Sequence, residues 1–282
     1  MSQTPIKIYS FDVFDTCITR PYQTPTDLFR QLARDVLAPE SAGHLESVEP
    51  LRLQRIEAEA MARKRHSDQE DVSLDQIYSV LADICDLNLD FETMKDREIE
   101  LELSSCTAIA SVLNHVRQCR KKGRVIFVSD MYLPSSVILK MLKSCGFWEA
   151  QDKLYVSSEV GKSKHSGSLF HHIALAEGIA TTEIHHLGDN KHADVHAART
   201  AGLKSIHFVD GGFKSYEQKV LGAFTSPAVA DFIGLNRSVR LASEPHKHPR
   251  EEASPALIHS VIAPFLIVFV AWLLRDAQRR GK

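Results

Sequence analysis

The chain has 282 residues, of which 44% are hydrophobic and 25% are charged, and its formal net charge is −2. These values are ordinary for a globular protein, and so small a net charge provides no field that would recruit nucleic acid or an anionic membrane surface. Five scattered cysteines with no CxxC pair favour a reducing compartment over a disulfide framework.

The first predicted element is a strand over the apolar run Ile6–Phe11, and Asp12, Asp15 and Thr16 follow it. The N-terminus has no apolar signal core, so we expect a cytoplasmic protein. A strand that ends in a carboxylate places it at the carboxyl edge of a sheet, where ligands bind in open α/β folds. An aspartate at this edge can attack phosphorus or carbon. Phe14, two residues after Asp12, cannot donate or accept a proton.

About a hundred residues separate this strand from the next predicted one, far more than a βα crossover needs. The segment Thr24–Asp27 has a capping threonine, a proline suited to the first turn and an early acidic residue, so it predicts the start of a helix. Further helices are predicted over Ser47–His66, Ser73–Cys85 and Phe91–Ser105. Residues 18–106 are therefore expected to form an inserted helical cap that lies over the sheet edge and excludes water.

After the insert, predicted strands alternate with predicted helices. The strands are Arg124–Val128, Lys153–Val156, Ile184–Leu187 and Ser205–Val209, and the helices are Ala108–Lys122, Pro134–Ser144, Leu169–Glu177 and Asp194–Ala201. This alternation predicts an α/β fold, a Rossmann-like parallel sheet with helices on both faces. Residues 1–17 and 107–212 are assigned to this core.

Polar residues follow the later strands as well. Ser129 and Asp130 end the second strand, Lys162 and Lys164 follow the third, and Asp189, Asn190 and Asp194 follow the fourth. The carboxyl ends of parallel strands meet at one edge, so carboxylates, a hydroxyl and an ammonium are expected to converge there. Such a set suits a phosphate and a divalent cation, since oxygen ligands favour Mg²⁺.

The order of these four groups resembles the haloacid dehalogenase (HAD) superfamily from Ile6 to Val209. Asp12 with Thr16 matches the first motif of that family, and Ser129 matches the second. Lys164 in KHSGSLF matches the third motif, and GDNKHADVHAARTAG, which contains Asp189 and Asp194, matches the fourth.

The resemblance implies a role for each of these residues. Asp12 would be the nucleophile that forms an aspartyl-phosphate, and Lys164, favoured over Lys162, would bind the phosphoryl group with Ser129 and neutralise Asp12. Mg²⁺ would be held by Asp12, the backbone carbonyl of Phe14, Asp189 and, directly or from behind, Asp194. The remaining expected substrate contacts are Thr16, Asp130 and Asn190. The implied reaction is hydrolysis of a small phosphorylated metabolite, for example a sugar phosphate.

Phe14 departs from the phosphatases of that family, which have an aspartate there to protonate the leaving oxygen. Two alternatives therefore stay open: a weak or inactive binding and scaffold domain, and carbon–halogen hydrolysis, in which a halide leaves without a proton. Asp15 is expected to orient the turn, and His192 is a candidate replacement acid. The histidines His185, His186, His192 and His196 match no recognised zinc spacing.

More narrowly, SFDVFDTCITR, VSDMYLP, SSEVGK and LGDN resemble a bacterial subgroup often joined to glycosyltransferases of surface-polysaccharide assembly. A glycosyltransferase domain or partner is therefore an expected association. Residues 213–256 are predicted to form an irregular helix and a linker. Residues 257–282 are predicted to form a hydrophobic helix, for which a membrane span stays open. The resemblance favours instead a packed helix that leads into a further domain, with Trp272, Leu273 and Leu274 on its buried side.

Overall fold

The structure of the chain, a computed structural model, describes residues 7–37, 44–223, 227–243 and 263–280. Its centre is a five-stranded parallel sheet in the order β5-β4-β1-β6-β7. The strands are β1 (Ile8–Asp12), β4 (Arg124–Ser129), β5 (Lys153–Val156), β6 (Ile184–Gly188) and β7 (Lys204–His207). The predicted parallel α/β core is confirmed, with strand ends shifted by one or two residues; Ile6 lies outside the described residues.

Helices cover both faces of the sheet because the strand residues are apolar on both sides. On one face, Phe11 and Phe127 pack with residues of α5 (Ala110–Arg120) and α6 (Ser135–Ser144). On the other face, Ile8, Ile126 and Val128 pack with α8 (Ser168–Glu177) and α9 (Ala198–Thr200). A short helix, α7 (Ser157–Val160), follows β5, and a π-helical segment, Lys191–Ala197, precedes α9.

The central position of β1 determines where the site forms. Asp12, at its end, lies in register with Val128 of β4, and Phe11 lies in register with Leu187 of β6. The chain segments that follow these three strands therefore begin side by side at one edge of the sheet. That edge is where open α/β sheets bind ligands.

The expected insert is a cap of four helices: α1 (Leu28–Val36), α2 (His44–Arg65), α3 (Leu74–Ile84) and α4 (Phe91–Ser105). Its two chain connections pair as a short antiparallel stem, β2 (Ile18–Thr19) with β3 (Thr107–Ala108). At its centre the buried Arg55 donates two hydrogen bonds to Glu98, at 2.8 and 2.7 Å. The Arg55 guanidinium also lies over the rings of Phe29 and Tyr132. A buried charge needs such partners.

The described residues between 213 and 243 are mainly helical. They form α10 (Ser215–Ala223) and α11 (Pro227–Ala242), and Glu217 at the start of α10 accepts hydrogen bonds from Asn236 and Arg240 of α11. The proposed linker from residue 244 onward lies outside the described residues.

The last helix of the described residues, α12 (Ala263–Arg279), has Pro264 in its first turn. Trp272, Leu273 and Leu274 were expected on a packed side, but in this chain they are 59%, 43% and 61% exposed. None of the helices in the described part of the chain combines the length and apolar character that crossing a bilayer requires.

Candidate active site

Asp12 and Lys164 form a buried ion pair at the end of β1. The Lys164 ammonium donates a hydrogen bond to Oδ1 of Asp12 and another to Oδ1 of Asp194, at 2.7 Å. Burial opposes the charge on Lys164, but the carboxylates of Asp12 and Asp194 outweigh it and raise its pKa above the ordinary value. Lys164 is therefore a permanent cation beside the candidate nucleophile.

Asp194 belongs to a buried chain of hydrogen bonds that runs back into the sheet. His186 on β6 lies with Nε2 3.1 Å from Oδ1 of Asp194, and its Nδ1 is 2.8 Å from Oγ of Ser10 on β1. Because a carboxylate can only accept, Nε2 carries the hydrogen and Nδ1 accepts from the Ser10 hydroxyl. Burial lowers the pKa of His186, which agrees with a neutral ring.

The other oxygen of Asp194 is also engaged, since Oδ2 accepts from the backbone N–H of Asn190 at 3.0 Å. Burial acts to raise the pKa of Asp194, but Lys164 and His186 outweigh it and lower that pKa far below its usual range. Asp194 is thus an ionised side chain that is fixed at both oxygens.

Asp189 completes a cluster of carboxylates. One oxygen each of Asp12, Asp189 and Asp194 lies within 4.8 Å of the other two. Burial, together with the charges of Asp15 and Asp194, raises the pKa of Asp189 to about 6. Burial also raises the pKa of Asp12. The charges of Asp194 and Asp189 raise it further, whereas the charge of Lys164 acts to lower it. We call Asp12, Lys164, Asp189 and Asp194 the acidic floor; it holds three carboxyl groups and one cation.

Gly188, at the end of β6, allows the acidic floor to be this compact. A Cβ atom at Gly188 would lie 2.3 Å from Cγ of Asp194, closer than any real contact. Because Gly188 has no side chain, Asp194 can approach the end of the strand. The next residue, Asp189, then lies close to Asp12 and Asp194. The glycine before Asp189 is therefore a requirement of close packing.

Asp130 holds the loop that carries Lys164. Its carboxylate accepts from the backbone N–H of Lys164 at 2.8 and 3.0 Å and from that of His165 at 3.2 Å. We call residues 161–168 the lysine loop. Lys162, the competing lysine, is half-buried and does not line the cavity described below.

The turn after β1, residues 13–17, is here called the nucleophile turn. Phe14, at the position of the expected family acid, packs beneath Arg20, whose guanidinium lies 4.7 Å from the ring centroid. Arg20 itself is buried and donates to both oxygens of Glu102, at 2.8 and 3.1 Å. The position where the resemblance leads us to expect an acid is therefore filled by an aromatic ring, beside a guanidinium that is already paired.

Asp15 in the same turn has a left-handed backbone, with φ of 56°. Its carboxylate pairs with Arg237 of α11 at 3.2 Å. A Cβ atom at Gly211 would lie 2.3 Å from the carbonyl oxygen of Asp15, so the segment after β7 also packs closely on this turn. Asp15 thus orients the turn, as expected, through its contacts with α11 and with the segment after β7. Aspartate is one of the residues that tolerate the left-handed region.

A cavity of about 420 Å³ lies between the acidic floor and the cap. Of the predicted site residues, Asp12, Phe14, Ser129, Asp130, Lys164, Asp189, Asn190 and Asp194 all line it. Thr16 does not: it is fully buried, and its hydroxyl donates to Asp189 at 3.4 Å. The Asn190 side chain accepts from the N–H groups of His192 and Ala193, so it caps the π-helical segment.

The structure adds residues that sequence reasoning missed. From the cap, Phe29, Glu59 and Arg63 line the same cavity, as does Tyr132 from the core. Ser10 and His186 support Asp194 from within the sheet. On β6, His186 is buried, whereas the ring of the next residue back, His185, lies tilted against Tyr9 with the ring centroids 5.5 Å apart. The sequence carries no signal, however, that His186 contacts Asp194.

Comparisons with known proteins agree with this architecture. No family model matches the chain, and no curated sequence matches it. Three solved structures that do match are YfnB of Bacillus subtilis, assigned as a HAD-hydrolase and bound to magnesium, a dehalogenase in an intermediate complex, and the 2-haloacid dehalogenase of Pseudomonas syringae pv. tomato.

These three structures superpose with TM-scores of 0.53, 0.51 and 0.51 at 15%, 13% and 15% identity. The matches cover 73%, 75% and 74% of this chain and 90%, 88% and 89% of the other chains. The chain therefore has the HAD-like fold, a Rossmann-like core with a helical cap.

Proposed function

We propose that the chain is a hydrolase that transfers a phosphoryl group from a small substrate to Asp12 and then to water. The observation that carries this proposal is the buried contact between Asp12 and Lys164 at the floor of a cavity covered by the cap. A carboxylate held beside a permanent cation is oriented for attack, and the cation also balances the charge of an arriving phosphoryl group.

The reaction has two displacements. In the first, a carboxylate oxygen of Asp12 forms a bond to phosphorus while the bond from phosphorus to the leaving oxygen breaks, and the leaving group takes the electron pair. In the second, a water oxygen bonds to the same phosphorus while the bond from phosphorus to the Asp12 oxygen breaks; phosphate departs with the two protons of the water, and the Asp12 carboxylate is restored. Lys164 and Ser129 would contact the phosphoryl oxygens in both.

The acidic floor fits Mg²⁺ as its cofactor. Three carboxyl groups face one ammonium, which leaves a surplus of negative charge that a divalent cation would offset. Burial raises the pKa of Asp189, and the neighbouring charges of Asp15 and Asp194 raise it further. Asp12, Asp189 and the Phe14 carbonyl would be ligands, and Asp194, fixed at both oxygens, would support them from behind. When bound, Mg²⁺ would lower the repulsion between the carboxylates and an incoming phosphate.

Phe14 determines which substrates would react. Without an acid to protonate the leaving oxygen, the rate depends on how stable that oxygen is as an anion. We therefore propose that the chain acts best on phosphorylated metabolites with good leaving groups, such as acyl or sugar-1-phosphates. The cavity volume of about 420 Å³ has room for a sugar phosphate. The implied cytoplasmic setting and glycosyltransferase association remain predictions.

Two other functions are also consistent with the absence of an acid at position 14. The loss of the acid position favours either a binding domain in polysaccharide assembly or carbon–halogen hydrolysis, since neither needs that proton. In carbon–halogen hydrolysis, a carboxylate oxygen of Asp12 would bond to carbon while the carbon–halogen bond breaks, and halide would depart with the electron pair. The surplus carboxylates argue against it, because they need a cation that a halide displacement does not use.

The three functions separate in one set of assays. The protein with Mg²⁺ is supplied with acetyl phosphate, a nitrophenyl phosphate, sugar phosphates and 2-haloacids, beside an Asp12→Asn variant and an Asp210→Asn control at an exposed position. We expect phosphate release that needs Mg²⁺ and falls at least ~10³-fold in Asp12→Asn. Halide release without Mg²⁺ would establish carbon–halogen hydrolysis as the function. If no substrate shows Asp12-dependent turnover, the binding-domain function is the one that remains.

A further inference from the structure

The loop between α2 and α3, residues 66–73, reaches from the cap to the lysine loop. Its Glu70 accepts four hydrogen bonds there through Oε2. The donors are Ser163 N at 2.9 Å, Ser163 Oγ at 3.0 Å, Ser166 Oγ at 2.5 Å and Ser168 Oγ at 2.7 Å. One cap carboxylate thus gathers three serines that flank Lys164 in the chain.

These contacts act on the same short loop that Asp130 holds from the core. The backbone N–H of Lys164 donates to Asp130, and the preceding N–H, of Ser163, donates to Glu70. Gly167, between the bound serines, is left-handed with φ of 84°, so the loop turns sharply. Lys164 is therefore positioned by one acceptor from the core and one from the cap.

The residue after Glu70 makes a second attachment. Asp71 accepts a hydrogen bond from Ser157 of α7 and pairs with Arg63 at 2.6 Å. The Ser157 hydroxyl in turn accepts from the N–H of Met131, which follows Asp130. This loop therefore joins the cap to the core at a point far along the chain from the β2–β3 stem.

Glu70 is suited to a contact that forms and breaks. Burial acts to raise its pKa, but the hydrogen bonds from Ser166, Ser168 and Ser163 together outweigh it and lower that pKa to about 2. It is ionised, and its side chain remains close to solvent. Water can therefore replace the serines when the cap moves away, because an exposed carboxylate has little desolvation cost to recover.

We propose that Glu70 is a positioning residue that couples docking of the cap to the placement of Lys164. With the cap docked, Glu70 holds the lysine loop and the ammonium of Lys164 contacts Asp12. With the cap undocked, the loop loses four hydrogen bonds and the lysine is released. The proposal rests on the proposed function for the role of Lys164, but the position of that lysine can be measured separately.

The test uses the full chain with Mg²⁺ and acetyl phosphate as the probe. The variants are Glu70→Ala, Glu70→Gln, which keeps one acceptor oxygen, and Asp68→Asn as a matched control at an exposed position of the same loop. We expect kcat to fall ~10²-fold in Glu70→Ala, since a small misplacement of a catalytic group costs that much, with a smaller loss in Glu70→Gln and none in the control.

A second readout follows Lys164 itself, which is 3% exposed. Reductive methylation of the native protein, mapped by mass spectrometry, gives the labelling rate of Lys164 relative to the exposed Lys204 on β7. We expect this ratio to rise at least tenfold in Glu70→Ala and to return toward wild type in Glu70→Gln. Urea unfolding confirms that each variant is folded, and where Glu70→Ala is not, Glu70→Gln decides the outcome.

The two proposals fail in different ways. If wild type shows no Asp12-dependent turnover, the proposed function fails, and the labelling ratio alone decides the coupling. If Lys164 is labelled equally in wild type and the folded Glu70 variants, the coupling is overturned, whatever the activity. Unchanged kcat in folded Glu70→Ala would overturn it as well.

Discussion

The acidic floor and the nucleophile turn border the same cavity, yet they are built in opposite ways. In the floor, every charged group has a charged neighbour, and Lys164 lies between Asp12 and Asp194. In the turn, Phe14 is covered by Arg20, whose charge is already satisfied by Glu102. Under the proposed function, the difference teaches that the groups that would attack a phosphoryl group and the group that would protonate its leaving oxygen are separable parts of this fold.

The largest expected effect comes from removing the cation of the floor. Lys164→Met would leave the carboxylates without a counter-charge, so we expect turnover of acetyl phosphate to fall ~10³-fold. The unfolding free energy should fall by about 3 to 5 kcal/mol, as when one partner of a buried pair is lost. Steady-state rates and urea unfolding measure both, with Lys162→Met as the control. A loss of turnover below tenfold would mean that catalysis does not depend on the charge of Lys164.

Restoring an acid to the turn should sharpen the comparison from the other side. Phe14→Asp is expected to raise turnover of an alkyl phosphate, such as glycerol phosphate, by about 10²-fold, the lower end of what general acid catalysis contributes. Turnover of acetyl phosphate should change little, because its leaving group needs no proton. Phe14→Leu controls for the lost ring. Equal effects on both substrates would show that the missing acid at position 14 does not limit the departure of the leaving group.

Gly188→Ala tests whether the floor needs its close packing. The added methyl group would meet Asp194, so we expect about 1 to 3 kcal/mol of destabilisation and roughly tenfold slower turnover. Gly222→Ala in α10 is the control, since a Cβ there meets nothing within 4 Å. Wild-type behaviour of Gly188→Ala would mean that Asp194 can move without consequence.

The buried position of Asp189, beside the charges of Asp15 and Asp194, predicts an unusual pH dependence of stability. The pKa of Asp189 is about 6 in the folded chain against an ordinary value of 3.8. The folded state therefore binds the proton more tightly, and this contribution to stability is present below pH ~4 and is lost as the pH rises through ~6. In Mg²⁺-free buffer, urea unfolding of wild type should show this loss, and Asp189→Asn should not.

Added Mg²⁺ should restore stability most strongly above pH ~6, where Asp189 is ionised. A Tm increase that is equal at pH 5 and pH 7.5 would be evidence against binding at the floor.

The smallest effect is expected at Asp15. Its carboxylate pairs with Arg237, so Asp15→Asn should change turnover by less than about threefold and stability by under ~1 kcal/mol, as for a partly exposed ion pair. Arg237→Met should behave alike. A loss above ~10²-fold in Asp15→Asn alone would identify Asp15 as the missing acid and remove the contrast between floor and turn.

The sequence predicts those parts of the site that depend on local patterns along the chain. Asp12, Ser129 and Asp189 lie at or directly after the ends of apolar strands, so the shared edge of a parallel sheet brings them together. The contact of Ser10 with His186 joins residues 176 positions apart, and the hydrogen bonds of Glu70 to the lysine loop cross from the insert to the core. Such contacts depend on how separate segments pack, which strand and helix patterns do not encode.

The central claim is that Asp12 carries the phosphoryl group, and it can be tested directly. The protein is mixed with acetyl phosphate and Mg²⁺, quenched in acid, and treated with borohydride, which reduces an acyl-phosphate but leaves an ordinary carboxylate unchanged. We predict that mass spectrometry of the digest finds the reduced side chain at Asp12, and that Asp12→Asn lacks it. Phosphate release with the reduced side chain at another residue, or at none, would contradict the account.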